Sequence, residues 1–135
     1  MKNYGNYAPL CVRVIATHAD INCPIQGDLM PEAGAMIAFV KAATGREPDL
    51  VVGKPNQIIA EMAATKLSLP LTLLVMVGDR LYTDIAMGHT SGVFTVLVLS
   101  GETQPQDIDA STYQPDAVFA HLGELASYIG DKCLT

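Results

Sequence analysis

Apolar positions along the chain fall into short runs that alternate with segments of helical spacing. The short runs predict β-strands, at residues 11–16, 49–53, 71–77, 93–99 and 117–119. Apolar residues recurring every three or four positions predict helices from residue 31 or 32 to 43, from 55 to 67, from 83 to 91 and from 122 to 130. The runs at 71–77 and 93–99 are almost continuously apolar, which is typical of strands buried on both faces. The pattern predicts an α/β protein with a parallel sheet and flanking helices.

Polar segments separate some of these elements. Residues 17–31 contain two prolines, a glycine and three Asp or Asn residues, and this composition predicts a loop. A second polar segment runs from 100 to 115. The first regular helix ends at Thr44-Gly45-Arg46, where the steady alternation of strands and helices begins. We therefore expect two parts, residues 1–45 and residues 46–135.

Length and charge narrow the classes of function. The chain has 135 residues, of which 50% are hydrophobic, and this suits one globular domain. Its net charge is -6 and its basic residues form no cluster, which argues against a nucleic-acid partner. No apolar run reaches the roughly 18 residues of a membrane span, and the first seven residues lack a signal-peptide pattern. We expect no membrane partner.

The three cysteines are Cys11, Cys23 and Cys133. Their number is odd and no pair has C-x-x-C spacing, so the pattern argues against a disulfide framework or a zinc site. We therefore expect a reducing, cytoplasmic environment.

Two acidic residues follow the apolar run at 71–77. Asp79 comes directly after Gly78, at the carboxyl end of a predicted strand, where open α/β sheets place their ligand sites. Asp84 lies in the first turn of the next predicted helix. Two neighbouring carboxylates suit Mg²⁺. The same spacing equally suits a helix cap at Asp84 and a turn residue at Asp79, so both readings stay open.

Gly53-Lys54-Pro55 also lies between a predicted strand and a predicted helix. Helix amino termini favour anions, so Lys54 could hold a phosphoryl oxygen or pair with Asp79. Taken alone, this tripeptide more often places a lysine in solvent.

In this order, Gly53-Lys54-Pro55, a helix, an apolar strand and Gly-Asp-Arg-Leu-x-Thr-Asp-Ile at 78–85 resemble motifs III and IV of the haloacid dehalogenase superfamily. More narrowly, they resemble its NagD-type branch of p-nitrophenyl phosphatases. Further similar segments lie at residues 14–20, 27–45, 95–101 and 114–116. The resemblance implies a partial Rossmann-like core at 46–135, preceded by a remnant of the cap domain at 1–45.

The resemblance also implies roles for individual residues. Lys54 would be the catalytic lysine that stabilises the nucleophile and the transferred phosphoryl group. Asp79 would hold Mg²⁺, and Asp84 would be the second acidic metal-site residue, supporting the metal's water shell. The expected substrate is a phosphorylated small molecule, and the expected Mg²⁺ site is weak or vestigial.

The family's nucleophile motif, two aspartates after an apolar strand near the amino terminus, has no counterpart in this sequence. The only D-x-D is Asp107-Ile108-Asp109, which follows a polar stretch and predicts a loop or helix cap. Asp20 and Asp28 lie in the predicted loop at 17–31 and suit the role no better.

We therefore expect a truncated phosphatase fragment that is inactive alone or is completed by another chain. Because the missing strand would lie beside 71–77, we also expect a homo-oligomer or a partner that fills this edge. One alternative is a non-catalytic module that binds Mg²⁺ or phosphate or mediates oligomerisation. Another is a small enzyme that uses Asp79 in a new role.

Overall fold

The computed structural model describes residues 13–133, without the side chain of Cys133. Residues 11 and 12 of the first predicted strand, and Cys11, lie outside this range. The chain divides into two compact units, the first ending at Gly53 and the second beginning at Lys54. The division between a cap remnant at 1–45 and a core at 46–135 stays a prediction. No helix of residues 13–133 is both long enough and apolar enough to cross a membrane.

The first unit contains two small sheets and one helix. Strands β1 (Ile15–Ala16) and β4 (Leu50–Val51) pair in parallel. Strands β2 (Asn22–Ile25) and β3 (Asp28–Pro31) form an antiparallel hairpin. Helix α1 (Ala33–Thr44) ends at Gly45, whose backbone has a φ of 73° and donates to the Lys41 carbonyl at 2.8 Å. Glycine adopts this left-handed conformation without the strain that a side chain would add.

The hairpin contradicts the loop expected at residues 17–31. Ile25 pairs with Asp28, so only Gln26 and Gly27 form the turn, and Gly27 has a φ of 80°. A two-residue turn with glycine at a positive φ is a strong hairpin signal. The two prolines masked it, since proline is depleted from strands in general but is tolerated in a two-stranded ribbon whose outer edges are unpaired.

The second unit is a parallel sheet with helices. Its strands are β5 (Val75–Gly78), β6 (Phe94–Val98) and β7 (Ala117–Phe119), hydrogen-bonded in the order β5-β6-β7. Its helices are α2 (Ile58–Leu67), α3 (Ala86–Ser91), α4 (Pro105–Ala110) and α5 (Leu122–Cys133). Both strand pairs are parallel. The predicted α/β class with a parallel sheet and flanking helices is confirmed.

The core of this unit forms around β6, the middle strand. Leu97 is fully buried and packs with Leu81 and Ile85, and Val93 packs with Ala60 and Met87 on α2 and α3. Burial of such side chains supplies the main stabilisation of the fold. This core fixes where β5 ends and the following helical segment begins.

Strand β5 differs from its prediction in length and in burial. Leu71–Leu73 form a 3-10 turn after Pro70, and the strand begins only at Val75. Val75 is 56% exposed, so the strand is not buried on both faces within the described chain. The reason is its place in the sheet: β5 pairs with β6 on one side and with no other strand of residues 13–133 on the other.

The segment at 100–115 contains the short helix α4, which the sequence did not predict. Asp107 accepts a hydrogen bond from the backbone N–H of Gln104 at 2.8 Å and closes a capping box. Of the two readings of the D-x-D at 107–109, a loop or a helix cap, the structure supports the cap at Asp107, and the segment lies on a helix rather than in a loop.

Candidate active site

The site lies where β5 ends. Gly78 is the last residue of the strand, Asp79 and Arg80 form the connection, and Leu81–Ile85 form a single π-helical turn that leads into α3. In this turn, the N–H groups of Asp84 and Ile85 both donate to the Arg80 carbonyl, at 3.0 and 3.2 Å. Such widened turns are rare in proteins as a whole, and those that occur are often located at functional sites.

Asp84 is the most enclosed ionisable group of the site, with only 2% of its surface exposed. Its Oδ2 accepts hydrogen bonds from the backbone N–H groups of Asp79 and Arg80, at 3.2 and 3.1 Å. A Cβ at Gly78 would collide with the Asp84 carboxylate, so the missing side chain at 78 makes this approach possible. Asp84 therefore holds the connection after β5 in place.

Lys54 completes the environment of Asp84. Its ammonium group makes an ion pair and hydrogen bond with Asp84 Oδ1, while 43% of the Lys54 side chain remains exposed. A buried carboxylate needs such compensation because desolvation of a charge is costly. The sequence allowed a pair between Lys54 and Asp79, whereas the structure pairs Lys54 with Asp84.

The position of Lys54 relative to helix α2 also differs from the position that the sequence predicted. Helix α2 begins at Ile58, not at Pro55, and the Asn56 side chain accepts the Ile58 N–H at 3.1 Å. Lys54 therefore lies four residues before the helix, on the connection rather than in its first turn.

Asp79 is half-buried at the carboxyl end of β5 and is held by the segment after β6. Its Oδ2 accepts the backbone N–H of Glu102 at 2.8 Å. Its carbonyl accepts both the N–H of Thr103, at 3.1 Å, and the Thr103 hydroxyl, at 2.6 Å. A Cβ at Gly101 would collide with the Asp79 carboxylate, so the 101–103 turn also depends on glycine.

Glu102 joins two side chains at the edge of the site. Its Oε2 pairs with Arg80 Nε at 2.7 Å, and its Oε1 accepts the Tyr82 hydroxyl at 2.8 Å. Sequence reasoning noted 95–101 only as a similar strand and turn and missed the roles of Gly101, Glu102 and Thr103. The glycine after a strand was the one signal that could have indicated a close backbone approach.

Thr83 is buried within the same π-helical turn. Only 4% of its surface is exposed, and its hydroxyl has no hydrogen-bond partner among the described residues. An unsatisfied buried hydroxyl costs about 1–3 kcal/mol. The residue before Asp84 therefore has a buried hydroxyl whose hydrogen bonding the described residues do not satisfy.

The arrangement combines a partly exposed ammonium, a fixed buried carboxylate and a half-buried carboxylate at one strand end. Asp79 has one carboxylate oxygen committed to Glu102, and its other oxygen makes no hydrogen bond within residues 13–133. That oxygen is a hard donor of the kind that Mg²⁺ takes from one or two carboxylates while keeping several waters. Both oxygens of Asp84 are already committed to Lys54 and to two N–H groups.

The other acidic candidates lie elsewhere. Asp107 and Asp109 are on helix α4, and Asp28 is at the turn of the hairpin in the first unit. Asp28 Oδ1 accepts the N–H of Leu29 at 2.8 Å, which is a local turn contact. The structure does not bring Asp107 or Asp109 into the Lys54–Asp84 pair.

Comparison with known proteins gives the chain a family. The HAD-hyrolase-like family model matches residues 51–125, more than half of the chain, and this range includes Lys54, Asp79 and Asp84. The ribonucleotide monophosphatase NagD of Escherichia coli K12 is 35% identical over 113 residues, which cover 84% of this chain and 44% of NagD.

Comparison with solved structures supports the same family. A 4-nitrophenylphosphatase from Thermotoga maritima matches with a TM-score of 0.80 and 47% identity, over 85% of this chain and 44% of that protein. A glycerol phosphate phosphatase from Mycobacterium tuberculosis, solved in complex with magnesium, matches with a TM-score of 0.77 and 28% identity, over 85% of this chain and 35% of that protein. The chain thus spans less than half the length of these relatives. It belongs to the haloacid dehalogenase-like hydrolases, in the branch of NagD and the p-nitrophenylphosphatases.

Proposed function

We propose that this chain supplies the phosphate-binding and metal-binding part of a Mg²⁺-dependent phosphomonoester hydrolase site. The observation that carries the proposal is the position of Lys54, Asp79 and Asp84 at the carboxyl end of β5, with Asp84 fixing the lysine. The relatives support it, since their names describe phosphatases and one of them was solved with magnesium.

In this proposal each residue has a separate task. Lys54 is the catalytic lysine, whose exposed ammonium hydrogens bind phosphoryl oxygens while Asp84 restrains the side chain. Asp79 offers the carboxylate oxygen that makes no protein hydrogen bond as a direct Mg²⁺ ligand. Asp84 contributes to the metal site indirectly, by orienting Lys54 and the backbone of residues 79 and 80. A bound Mg²⁺ would offset charge that develops on the phosphoryl oxygens.

The nucleophile, in this proposal, comes from a polypeptide segment outside the described residues. Strand β5 has an unpaired edge within residues 13–133, and beside it lies an apolar groove of about 300 Å³ whose lining includes Ile59, Leu74 and Val75. An exposed strand edge accepts a further strand through backbone hydrogen bonds. A strand added there would end near Asp79 if it ran parallel to β5.

The decisive experiment is a Mg²⁺-dependent phosphatase assay with p-nitrophenyl phosphate on the purified chain, alone and mixed with a peptide that carries a strand followed by D-x-D. We expect no turnover alone and Mg²⁺-dependent turnover with the peptide, lost in Asp79→Asn. Asp109→Asn, which removes an exposed carboxylate on α4, is the matched control and should keep the activity. Turnover by the chain alone that Asp79→Asn does not reduce would refute the assignment of the site.

The alternative is a non-catalytic module that binds Mg²⁺ or phosphate or that oligomerises through the same edge. The exposed apolar side chains of Leu73, 67% exposed, and Val75 favour a covered edge, either in a homo-oligomer or with a separate chain. Amide hydrogen exchange measures whether the β5 edge is covered, and analytical ultracentrifugation measures whether the chain self-associates. A monomer whose amides at Val75–Gly78 exchange freely would contradict any assembly at β5.

The proposed compartment is the cytoplasm, because the sequence has an odd number of cysteines and no pair at C-x-x-C spacing. Fractionation of cells producing the tagged chain would test the location. Recovery of the protein outside the cytoplasm would contradict it.

A further inference from the structure

Three potential metal ligands converge in the first unit, and neither the family comparison nor the proposed phosphatase site uses them. Atoms of His18, Asp20 and Glu32 all lie within 4.8 Å of one another. All three residues are partly buried, and the side chains of His18 and Glu32 are 34% and 28% exposed. Donor atoms this close together can reach one ion.

The backbone holds the two sides of this cluster together. The N–H of Gly34 donates to the Asp20 carbonyl at 2.8 Å, and the N–H of Glu32 donates to the Ile21 carbonyl at 3.0 Å. A Cβ at Gly34 would collide with the backbone of Ala19, so glycine permits this approach. The backbone that carries Asp20 and Glu32 is therefore held in place before any ion binds, which lowers the entropic cost of binding.

Glu32 and His18 are oriented toward each other. Glu32 occupies the N-cap position of α1, yet its side chain makes no capping hydrogen bond. Instead, Glu32 Oε2 lies 3.1 Å from His18 Nε2, while His18 Nδ1 lies 3.2 Å from the Thr17 hydroxyl. In the tautomer that carries its proton on Nε2, His18 donates directly to Glu32; in the tautomer that donates from Nδ1 to Thr17, the lone pair of Nε2 faces the carboxylate and is available to a cation. In metal-binding histidines a hydrogen-bond partner usually fixes the second ring nitrogen, and here the Thr17 hydroxyl lies within hydrogen-bond distance of that nitrogen.

We propose that His18, Asp20 and Glu32 bind one divalent transition-metal ion of the Zn²⁺ class, with water in the remaining position. One imidazole and two carboxylates match the nitrogen and oxygen ligands of zinc sites that keep an open position. The imidazole disfavours Mg²⁺ and Ca²⁺, which select oxygen ligands. Asp20 makes a further interaction of its own, so the ion would share or displace it.

Calorimetric titration of the full chain with Zn²⁺, in buffer already saturated with Mg²⁺, tests this site. We expect one Zn²⁺ per chain. His18→Asn and Glu32→Gln should each weaken binding by at least about tenfold, since even the loss of an outer partner costs that much. His121→Asn is the matched control: His121 Nδ1 accepts the Glu124 N–H at 3.1 Å, a bond that Asn can replace, and Zn²⁺ binding should not change.

Cobalt substitution identifies the ligand atoms. The Co²⁺ form should show visible d–d absorption without the intense near-ultraviolet charge transfer of a thiolate ligand. Circular dichroism confirms that both variants are folded before they are titrated. The proposal is overturned by absence of stoichiometric Zn²⁺ binding, which would leave an ion pair only. It is equally overturned by unchanged binding in both variants, or by a thiolate band that assigns the metal to a cysteine.

Discussion

Removal of the Asp84 carboxylate should destabilise the second unit far more than removal of an exposed carboxylate. Asp84→Ala leaves the N–H groups of Asp79 and Arg80 without their acceptor, and each unsatisfied buried group costs about 1–3 kcal/mol. The ammonium of Lys54, whose side chain is 43% exposed, can return to water at little cost. We therefore expect a loss of about 2–4 kcal/mol in the free energy of unfolding.

Asp84→Asn separates the two contributions. The amide oxygen can still accept from both N–H groups, while the negative charge opposite Lys54 disappears, so we expect a smaller loss of about 1–2 kcal/mol. Urea unfolding followed by circular dichroism measures both variants. Asp109→Asn, which removes an exposed carboxylate on α4, should stay within about 0.5 kcal/mol of the parent protein.

Two results would refute this reasoning. A loss below about 0.5 kcal/mol for Asp84→Ala would show that the backbone N–H groups find other partners. Equal losses for the Ala and Asn variants would show that these N–H groups do not depend on Asp84 Oδ2.

Three further predictions concern the same unit. Gly101→Ala should lower the free energy of unfolding by about 1–3 kcal/mol in urea titrations, because its Cβ would collide with the Asp79 carboxylate; an unchanged midpoint would contradict this. Gly130→Ala is the control, because Gly130 lies in helix α5 and a Cβ there would meet nothing within 4 Å. This substitution should raise the free energy of unfolding by about 0.5–1 kcal/mol, and a decrease would contradict the prediction. The Thr95 backbone N–H and hydroxyl hold the pKa of Asp116 below its usual range, so the stabilisation is complete above about pH 5 and is lost as pH falls through the lowered pKa. Asp116→Asn should therefore flatten the fall in urea midpoint between about pH 5 and pH 3, and an unchanged slope would refute the assignment.

Strongly apolar elements were predictable from the sequence because burial leaves a direct pattern. The run at 93–99 corresponds to Phe94–Val98, the middle strand, whose side chains are mostly enclosed. The run at 71–77 predicted a strand that starts too early. Pro70 begins a 3-10 turn there, and periodicity does not distinguish such a turn from an extended strand.

Elements with few apolar residues were not predicted from the sequence, because local polar contacts stabilise them and leave no hydrophobic pattern. Helix α4 has Ile108 as its one large apolar residue and depends on the capping contact of Asp107. The hairpin at 22–31 has mostly exposed strands, so alternation gives little signal, and the turn glycine Gly27 was read as part of a loop.

The site was only partly predictable for a geometric reason. The sequence placed Asp79 at a strand end, which the structure confirms. It did not show that Lys54 pairs with Asp84, because that contact depends on the π-helical turn. Nor did it show the turn at 101–103, which reaches Asp79 through backbone atoms that carry no residue-specific signal.

The π-helical turn at Leu81–Ile85 has a consequence for how this chain tolerates change in length. A π turn holds one residue more than an α turn, so a deletion within it, for example of the exposed Tyr82, would leave a helix with ordinary hydrogen bonding. The deletion would instead change the direction in which the Asp84 side chain points. Each residue advances a helix by about 100°, so Asp84 would rotate relative to the end of β5 and lose either Lys54 or the two N–H groups. At this position, a deletion that is neutral for secondary structure would be expected to separate the charges on which the site depends.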